Sequence, residues 1–586
     1  MVKLLRHLRK NDVVMLLISI VFIVCQVWLD LKLPDYMSEL TVLIKTEGGI
    51  NDVLTIGGKM LFCAFGSLAA SILVGFFAAR IAAALSMNVR SLIYGKVQSF
   101  SMEEINKFST PSLITRSTND ITQIQTTIAM GLQAIIKAPI MAVWAMSKIA
   151  NTSIEWTTAT GAAVVFLLLA ITVVMVVVLP RFKKIQKLTD QLNGVTRENL
   201  TGLRVVRAYN AEEYQQDKFD KVNEDLTDTN LLTNRFLTVI QPIMTLINSG
   251  LTLSIYWIGA YLIENAGMEA KLGIFSDMVV FMAYAMQVVI AFMLLAIIFI
   301  MMPRAAVSAN RINEVLETHG TINDGTVTES PLALKGEVEF KNVSFKYPDA
   351  EEYVIHNVSF KAKRGETVAF IGSTGSGKST LINLIPRFYD ATDGEVLVSG
   401  VNVKDYNKDD LYNKLGYVPQ RAVLFSGNVS SNVAYGDNGK EPASLQQIQN
   451  AVEVAQGRDF VENMDGGYEA AVSQGGTNLS GGQKQRLAIA RAVCREPEVY
   501  IFDDSFSALD YKTDKELRRV LKEKTGKITN LIVAQRIGTI IDADKIVVLD
   551  EGEVVGSGTH RQLLSSCPVY REIAESQLSK EELDNA

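Results

Sequence analysis

Nine consecutive residues, Gly372-Ser373-Thr374-Gly375-Ser376-Gly377-Lys378-Ser379-Thr380, carry the clearest chemistry in the chain. They fit GxxxxGK[ST] and follow the compact apolar strand expected over residues 367–371, the context that this pattern requires. Glycines let backbone N–H groups turn inward around phosphates, and the positive end of the following helix adds to that field. Lys378 supplies a point charge for the β and γ phosphates, and the Ser379 hydroxyl is a ligand for Mg2+. A second apolar strand, expected over residues 499–502, runs into Asp503-Asp504. Beside a phosphate-binding loop, the first acid after such a strand orders magnesium and the next position commonly places the attacking water. The chemistry these residues predict is that of ATP with Mg2+.

Between the two strands lies Asn478-Leu479-Ser480-Gly481-Gly482-Gln483, a glycine-containing turn expected to lead into a helix over residues 486–494. Backbone donors beside a helix start make a second anion site. The segment resembles the LSGGQ signature of the ATP-binding cassette (ABC) family. Other family elements follow in order: Tyr347 resembles the aromatic that stacks on adenine, Gln420 the Q-loop residue near the magnesium, and Ser507 to Asp510 the D-loop, with Asp510 beside the catalytic centre. In the first half, Ser112 to Arg116, Thr118 to Asp120 and Arg204 to Ala208 look like the intracellular-loop sequences of ABC exporters. The resemblance implies a half-transporter that works as a dimer. Each ATP lies between the phosphate loop of one chain and the signature of the other, and closure moves coupling helices expected near residues 101–107 and 209–217.

Two positions depart from that pattern. Active cassettes usually carry Glu after the magnesium-linked Asp and a His about thirty residues later; here those positions are Asp504 and Gln535. The shorter carboxylate is drawn back by about a bond length, and misplacement near 1 Å costs roughly 100-fold in rate. Gln cannot supply the proton or positive charge of His, and none of the four histidines, His7, His319, His356 and His560, lies at that sequence position. The segment Ser473 to Gly476 also lacks a Glu usual in the family. The resemblance therefore implies a degenerate, slowly hydrolysing site in this chain, with its intact signature serving a homologous partner chain that has Glu and His. A homodimer with two slow sites and an ATP-gated regulatory subunit remain as alternatives.

The elements that must position these residues divide into two halves. Uncharged apolar runs cover residues 13–29, 60–79, 156–180, 236–263 and 278–303, close to the ~20 residues that cross a bilayer as helix. A sixth candidate, residues 121–147, is interrupted by Lys137. Counting it, one set of connections holds 19 Lys and Arg and the alternate set 5, a positive-inside pattern with both termini in the cytoplasm. Five spans would put the ATP-dependent half outside. Lys137 is read as snorkelling or facing the bundle interior. The fold class expected is an α-helical six-span transmembrane domain with long cytoplasmic helical extensions, followed by an α/β P-loop NTPase domain. The boundaries expected are an amphipathic segment 1–12, a membrane domain 13–318, a linker 319–336, a nucleotide-binding domain 337–572 and a polar tail 573–586.

Composition agrees with a membrane ATPase and excludes other classes. The 48% apolar content averages the two halves, and the net charge of -6 sits almost wholly after residue 330. That acidity argues against a duplex nucleic-acid partner, which needs a basic stripe to release counterions. Four cysteines without a CxxC pair exclude a zinc knuckle and a disulfide framework. The expected location is the bacterial cytoplasmic membrane, with lipid around the spans. The substrate expected is an amphipathic small molecule of multidrug type, with lipid or lipopeptide export as the nearest rival. Met278, Met282, Met286, Met293, Met301 and Met302 suit an adaptable apolar path or plain packing. Gln26, Trp28, Trp144, Asn248 and Gln287 could line a cavity or join interhelical bonds.

Overall fold

A computed structural model describes residues 2–45, 49–150, 153–267, 270–579 and 583. The chain divides into two compact units, one formed by residues 1–98 and 110–318, the other by residues 99–109 and 319–586.

The first unit is helical. Its long elements are α1 (Lys10–Lys45), α2 (Ile50–Gln98), α3 (Asn119–Ala150), α4 (Ile154–Thr201), α5 (Glu212–Glu264) and α6 (Ala270–Glu317). Each contains a stretch long and apolar enough to cross a membrane, the one interrupted by Lys137 included. At 1.5 Å per residue, helices of 48 and 53 residues run to roughly 70–80 Å, more than twice the ~30 Å hydrocarbon core. The excess is the helical extension expected from loops without breakers. Prolines 34, 139, 180 and 242 sit inside these helices, a placement that membrane-spanning helices tolerate. A core of Val27, Met141, Trp156, Leu251, Ile255 and Phe281 ties α1, α3, α4, α5 and α6 together. Within the segment expected to be amphipathic, a four-residue helix, Val2–Leu5, precedes α1; Leu4 is buried and Lys3 pairs with Glu317 at 2.7 Å.

The second unit is built on two main sheets, with a further short pairing of Gly427–Asn428 and Ala471–Val472. A four-stranded antiparallel sheet contains β1 (Val338–Phe345), β2 (Ile355–Ala362), β4 (Asp393–Val398) and β5 (Val401–Asn402) in the order β2-β1-β4-β5. The larger sheet contains β3 (Thr367–Gly372), β6 (Leu415–Val418), β7 (Val499–Asp503), β8 (Thr529–Val533), β9 (Lys545–Asp550) and β10 (Glu553–Gly558), in the order β10-β9-β3-β8-β7-β6. All its pairings are parallel except β9 with β10. Both faces of β3 are covered, Val368 and Phe370 by one core and Ala369 and Ile371 by the other, so the strand reads as a continuous apolar run.

Two boundaries differ from expectation. The polar tail does not begin at residue 573: the helix Pro568–Gln577 crosses that position with Tyr570 and Ala574 fully buried. Segment 319–336 is held to the second unit, Val327 bridging Tyr406 and Thr321 N–H donating to Glu104 at 2.8 Å. Glu104 belongs to the short helix Met102–Phe108, whose capping box joins Ser101 and Glu104, at the first expected coupling segment. The second, residues 209–217, is no separate helix. Leu203–Ala208 ends before it, Asn210 takes a left-handed φ of 50°, and residues from Glu212 on open α5.

Candidate active site

Four parallel strands end along one edge of the larger sheet, and each delivers one functional segment there. Register aligns Val533 with both Phe370 and Asp503, and Val418 with Phe502. The phosphate loop, Asp503-Asp504, Gln535 and Gln420 therefore emerge side by side, at the carboxyl ends where open α/β sheets bind ligands.

Glycine is obligatory in the loop for two reasons. Gly375 and Gly377 take φ of 89° and 88°, and a Cβ on Gly377 would meet Ile355 Cδ1 at 2.6 Å. A Cβ on Gly372 would collide with the Leu549 carbonyl oxygen. The Lys378 ammonium lies within the loop, donating to the carbonyls of Gly372 at 2.9 Å and Ser373 at 2.6 Å and to Ser376 Oγ at 3.2 Å. Burial lowers its proton affinity, an effect that Asp504 and Asp503 oppose. Such a loop binds phosphate oxygens through backbone donors and a desolvated cation.

Across from the loop, Ser379 Oγ donates to Asp503 Oδ1 at 2.8 Å. Burial pushes the Asp503 carboxyl up from its usual range, and neighbouring Asp504 pushes it further. A hydroxyl and a buried carboxylate converging in this way fit Mg2+, which takes a few protein oxygens and completes its shell with phosphate and water. Asp504 sits at φ 46°, its N–H bonded to the Val533 carbonyl at 3.0 Å and its Oδ2 accepting from Gln535 Nε2 at 2.9 Å and Gln420 Nε2 at 3.4 Å. Burial raises its pKa as well. The two sequence departures, Asp504 and Gln535, are thus bonded to one another.

Tyr347 lies beside the loop, its hydroxyl 3.0 Å from Thr380 Oγ1. Its ring meets Tyr389 edge-on at 5.3 Å, and Asn106 Nδ2 donates to the Tyr389 hydroxyl at 2.9 Å. The side-chain path from the expected adenine aromatic to the helix Met102–Phe108 is three residues long. Sequence reading missed Tyr389 and Asn106, because neither belongs to a motif.

Other predicted residues stand apart from this cluster. The signature is the first turn of a helix, Gly481–Cys494, which starts five residues earlier than expected. Ser480 caps it, with the Ser480 N–H donating to Gln483 Oε1 at 2.9 Å and the Gln483 N–H donating to Ser480 Oγ at 3.3 Å. The S-x-x-Q spacing was the available signal; the two glycines hid it. Ser480 and Gly481 are exposed, with Gly482 and Gln483 beside them half-buried. Asp510 caps the helix Tyr511–Thr525, accepting from Thr513 N–H at 3.0 Å and Thr513 Oγ1 at 2.7 Å, and those bonds lower its pKa.

In the membrane unit, Lys137 faces the interior and pairs with Asp30 at 3.0 Å, while Ser67 also donates to Asp30. Asp35 accepts from Lys148 at 3.1 Å and from the Tyr284 hydroxyl. Gln26 is buried and accepts from Gln133 at 3.4 Å. Trp28 is exposed, Trp144 packs against the core, and Asn248 Oδ1 is buried with no hydrogen-bond partner among the described residues. Gln287 is half-buried. Met278, Met282 and Met293 are packing residues of that core; Met286 is exposed, and Met301 and Met302 are half-buried.

Six apolar helices joined to a phosphate-binding α/β unit define a membrane transporter driven by a nucleotide. Residues 16–292 match the family model of the ABC transporter transmembrane region, and residues 355–507 that of the ABC transporter. An uncharacterized ABC transporter ATP-binding protein of Mycobacterium tuberculosis is 37% identical over 90% of this chain and 88% of its own length. An ATP-dependent lipid A-core flippase of Pseudomonas aeruginosa is 30% identical over 84% of this chain and 80% of its own. A solved bacterial Atm1-family ABC exporter with ATP bound superposes at a TM-score of 0.80, with 24% identity over 98% of this chain and 99% of that one. The chain belongs to the ABC transporter family. It is a multi-pass protein of the bacterial membrane with a cytoplasmic ATPase domain, an ATP-driven exporter of a kind that works as a dimer.

Proposed function

We propose that this chain is the degenerate-site subunit of a heterodimeric exporter of amphipathic molecules. The observation that carries this reading is the bond from Gln535 Nε2 to Asp504 Oδ2, an amide and a short carboxylate where the family chemistry uses His and Glu. An amide shuttles no proton at neutral pH, and the shortened carboxylate is held by two amide donors. ATP is held here by Tyr347, by the loop from Gly372 to Thr380 and by Gln420, with Ser379, Gln420 and Asp503 as the groups that would hold Mg2+. Bound Mg2+ would offset the negative charge gathered around the β and γ phosphates. Ser480 to Gln483 complete the active site of a partner chain with Glu and His, and Asp510 sits at the interface between them. Differential affinity of ATP for the closed pair drives the membrane unit between its two states.

The substrate reading rests on similarity and chemistry together. The Pseudomonas relative is named for a lipid A-core, and the interior of this membrane unit combines apolar packing with polar groups such as the buried Gln26 and the half-buried Asp30–Lys137 pair. The test uses the reconstituted pair. Replacing the partner's catalytic Glu with Gln is expected to abolish ATP turnover and the ATP-dependent movement of amphipathic dyes in inside-out vesicles, whereas Asp504→Asn leaves both within about twofold. Equal losses from the two substitutions contradict the proposal. Turnover without dye movement in the unmodified pair favours the regulatory role or a narrower lipid cargo.

A further inference from the structure

The residue that engages Asp504 is itself gripped from behind. Gln577, the last residue of the helix Pro568–Gln577, donates from Nε2 to the Gln535 carbonyl at 2.9 Å and accepts at Oε1 from the Ile537 N–H at 2.8 Å. Arg536 between them is extended, at φ -107° and ψ 128°. A carbonyl at one residue and an N–H two residues later face the same way in extended backbone, so one side-chain amide satisfies both, as a peptide group of a neighbouring strand would. The short helix Ile537–Ile540 has no side-chain cap of its own, and Gln577 Oε1 serves the first of its free N–H groups.

The mount for this amide is firm. Tyr570 and Ala574, on the same helix, are fully buried, and the Tyr570 hydroxyl lies 2.6 Å from His560 Nδ1. Gln577 is exposed, so its two bonds are not a by-product of core packing. Burying a helix only to leave its terminal amide across the turn that carries Gln535 gives that turn a fixed backbone.

We infer that Gln577 is a positioning residue for the nucleotide site: it latches the turn at residues 535–537 and so aims Gln535 at Asp504 and the γ-phosphate position. The inference rests on reading Gln535 as the residue that faces the ATP γ-phosphate. With the latch in place the polar wall of the site is preorganised, and nucleotide release is slow. Without it, Gln535 samples other orientations and release quickens.

The test uses the full-length chain in lipid nanodiscs with Mg2+ and a fluorescent ATP analogue. Gln577→Ala, which removes both bonds, is expected to speed analogue release about tenfold. Gln577→Glu keeps the acceptor for Ile537 but sets a carboxylate oxygen against the Gln535 carbonyl, and release should be at least as fast as in Gln577→Ala. Melting temperature is expected to stay within about 2 °C of the unmodified chain. In a Gln535→Ala background, Gln577→Ala should have no further effect on release, because the latch acts through that side chain. Unchanged release in Gln577→Ala, or an equal effect with and without Gln535, overturns the inference. Turnover by the unmodified chain is a separate readout: hydrolysis there contradicts the degenerate-site reading but leaves the ratio of the variants as the measure of the latch.

Discussion

The two anion-binding edges of the ATPase unit are built in opposite ways. At the strand ends, Lys378, Ser379, Asp503, Asp504, Gln420 and Gln535 bond to one another or to the loop backbone, and both acids are buried. At the signature, Ser480 and Gln483 cap one another, and the helix start they cap is exposed. The signature edge carries the full Leu479 to Gln483 motif, while the strand-end edge carries Asp504 and Gln535 at the two positions that set it apart. Under the proposed function, the chain preserves the surface that it lends to a partner while the chemistry of the site that it holds itself is relaxed.

Substitutions that act on only one edge sharpen this contrast. The largest effect is expected from Gly481→Asp in the reconstituted pair, which places a carboxylate at a phosphate-binding helix start; steady-state ATP turnover should fall by roughly 100-fold or more, whereas Lys378→Ala lowers it less than about tenfold. Equal effects would erase the asymmetry. Next, Asp504→Glu combined with Gln535→His should raise turnover of the chain alone by about 100-fold, since it restores both reach and proton transfer; each single change should recover far less.

A smaller effect concerns stability and pH. Burial holds the Asp504 carboxyl above its ordinary value of 3.8. Its ionised form therefore destabilises the folded chain at neutral pH, and the penalty disappears as pH falls through the raised value toward 3.8. Asp504→Asn is expected to raise the melting temperature by a few degrees at pH 7, with the gain shrinking toward zero at about pH 4. A gain independent of pH would show that desolvation of this carboxylate is not its source. The smallest effect is expected at the contact between Asn106 and Tyr389: Tyr389→Phe removes one hydrogen bond and should reduce substrate-stimulated turnover about two- to threefold, with basal turnover unchanged.

Legibility in the sequence followed the range of the interactions. The phosphate loop could be read because its glycines answer to local backbone geometry, and Asp503 because it ends an apolar strand. The six spans followed from run length and charge bias even with Lys137 in the third. Its partner was not readable, since Asp30 lies 107 positions away and only helix packing brings the two together. Gln577 fell within a segment that looked like a polar tail, because among the described residues of that helix Tyr570 and Ala574 are buried while Val569 and Ile573 are only partly so. The break before α5 was misplaced because residues 209–217 carry no capping pattern, and Asn210 alone marks the turn.

The central claim is that this chain does not complete a hydrolytic site of its own, and it is tested most directly by the ATP turnover of the purified chain in lipid without any partner. Turnover near the background of a Lys378→Ala control, rising when a homologous chain with Glu and His is added, is the predicted result. Robust turnover by the chain alone, lost in the Asp504→Asn variant, would contradict it.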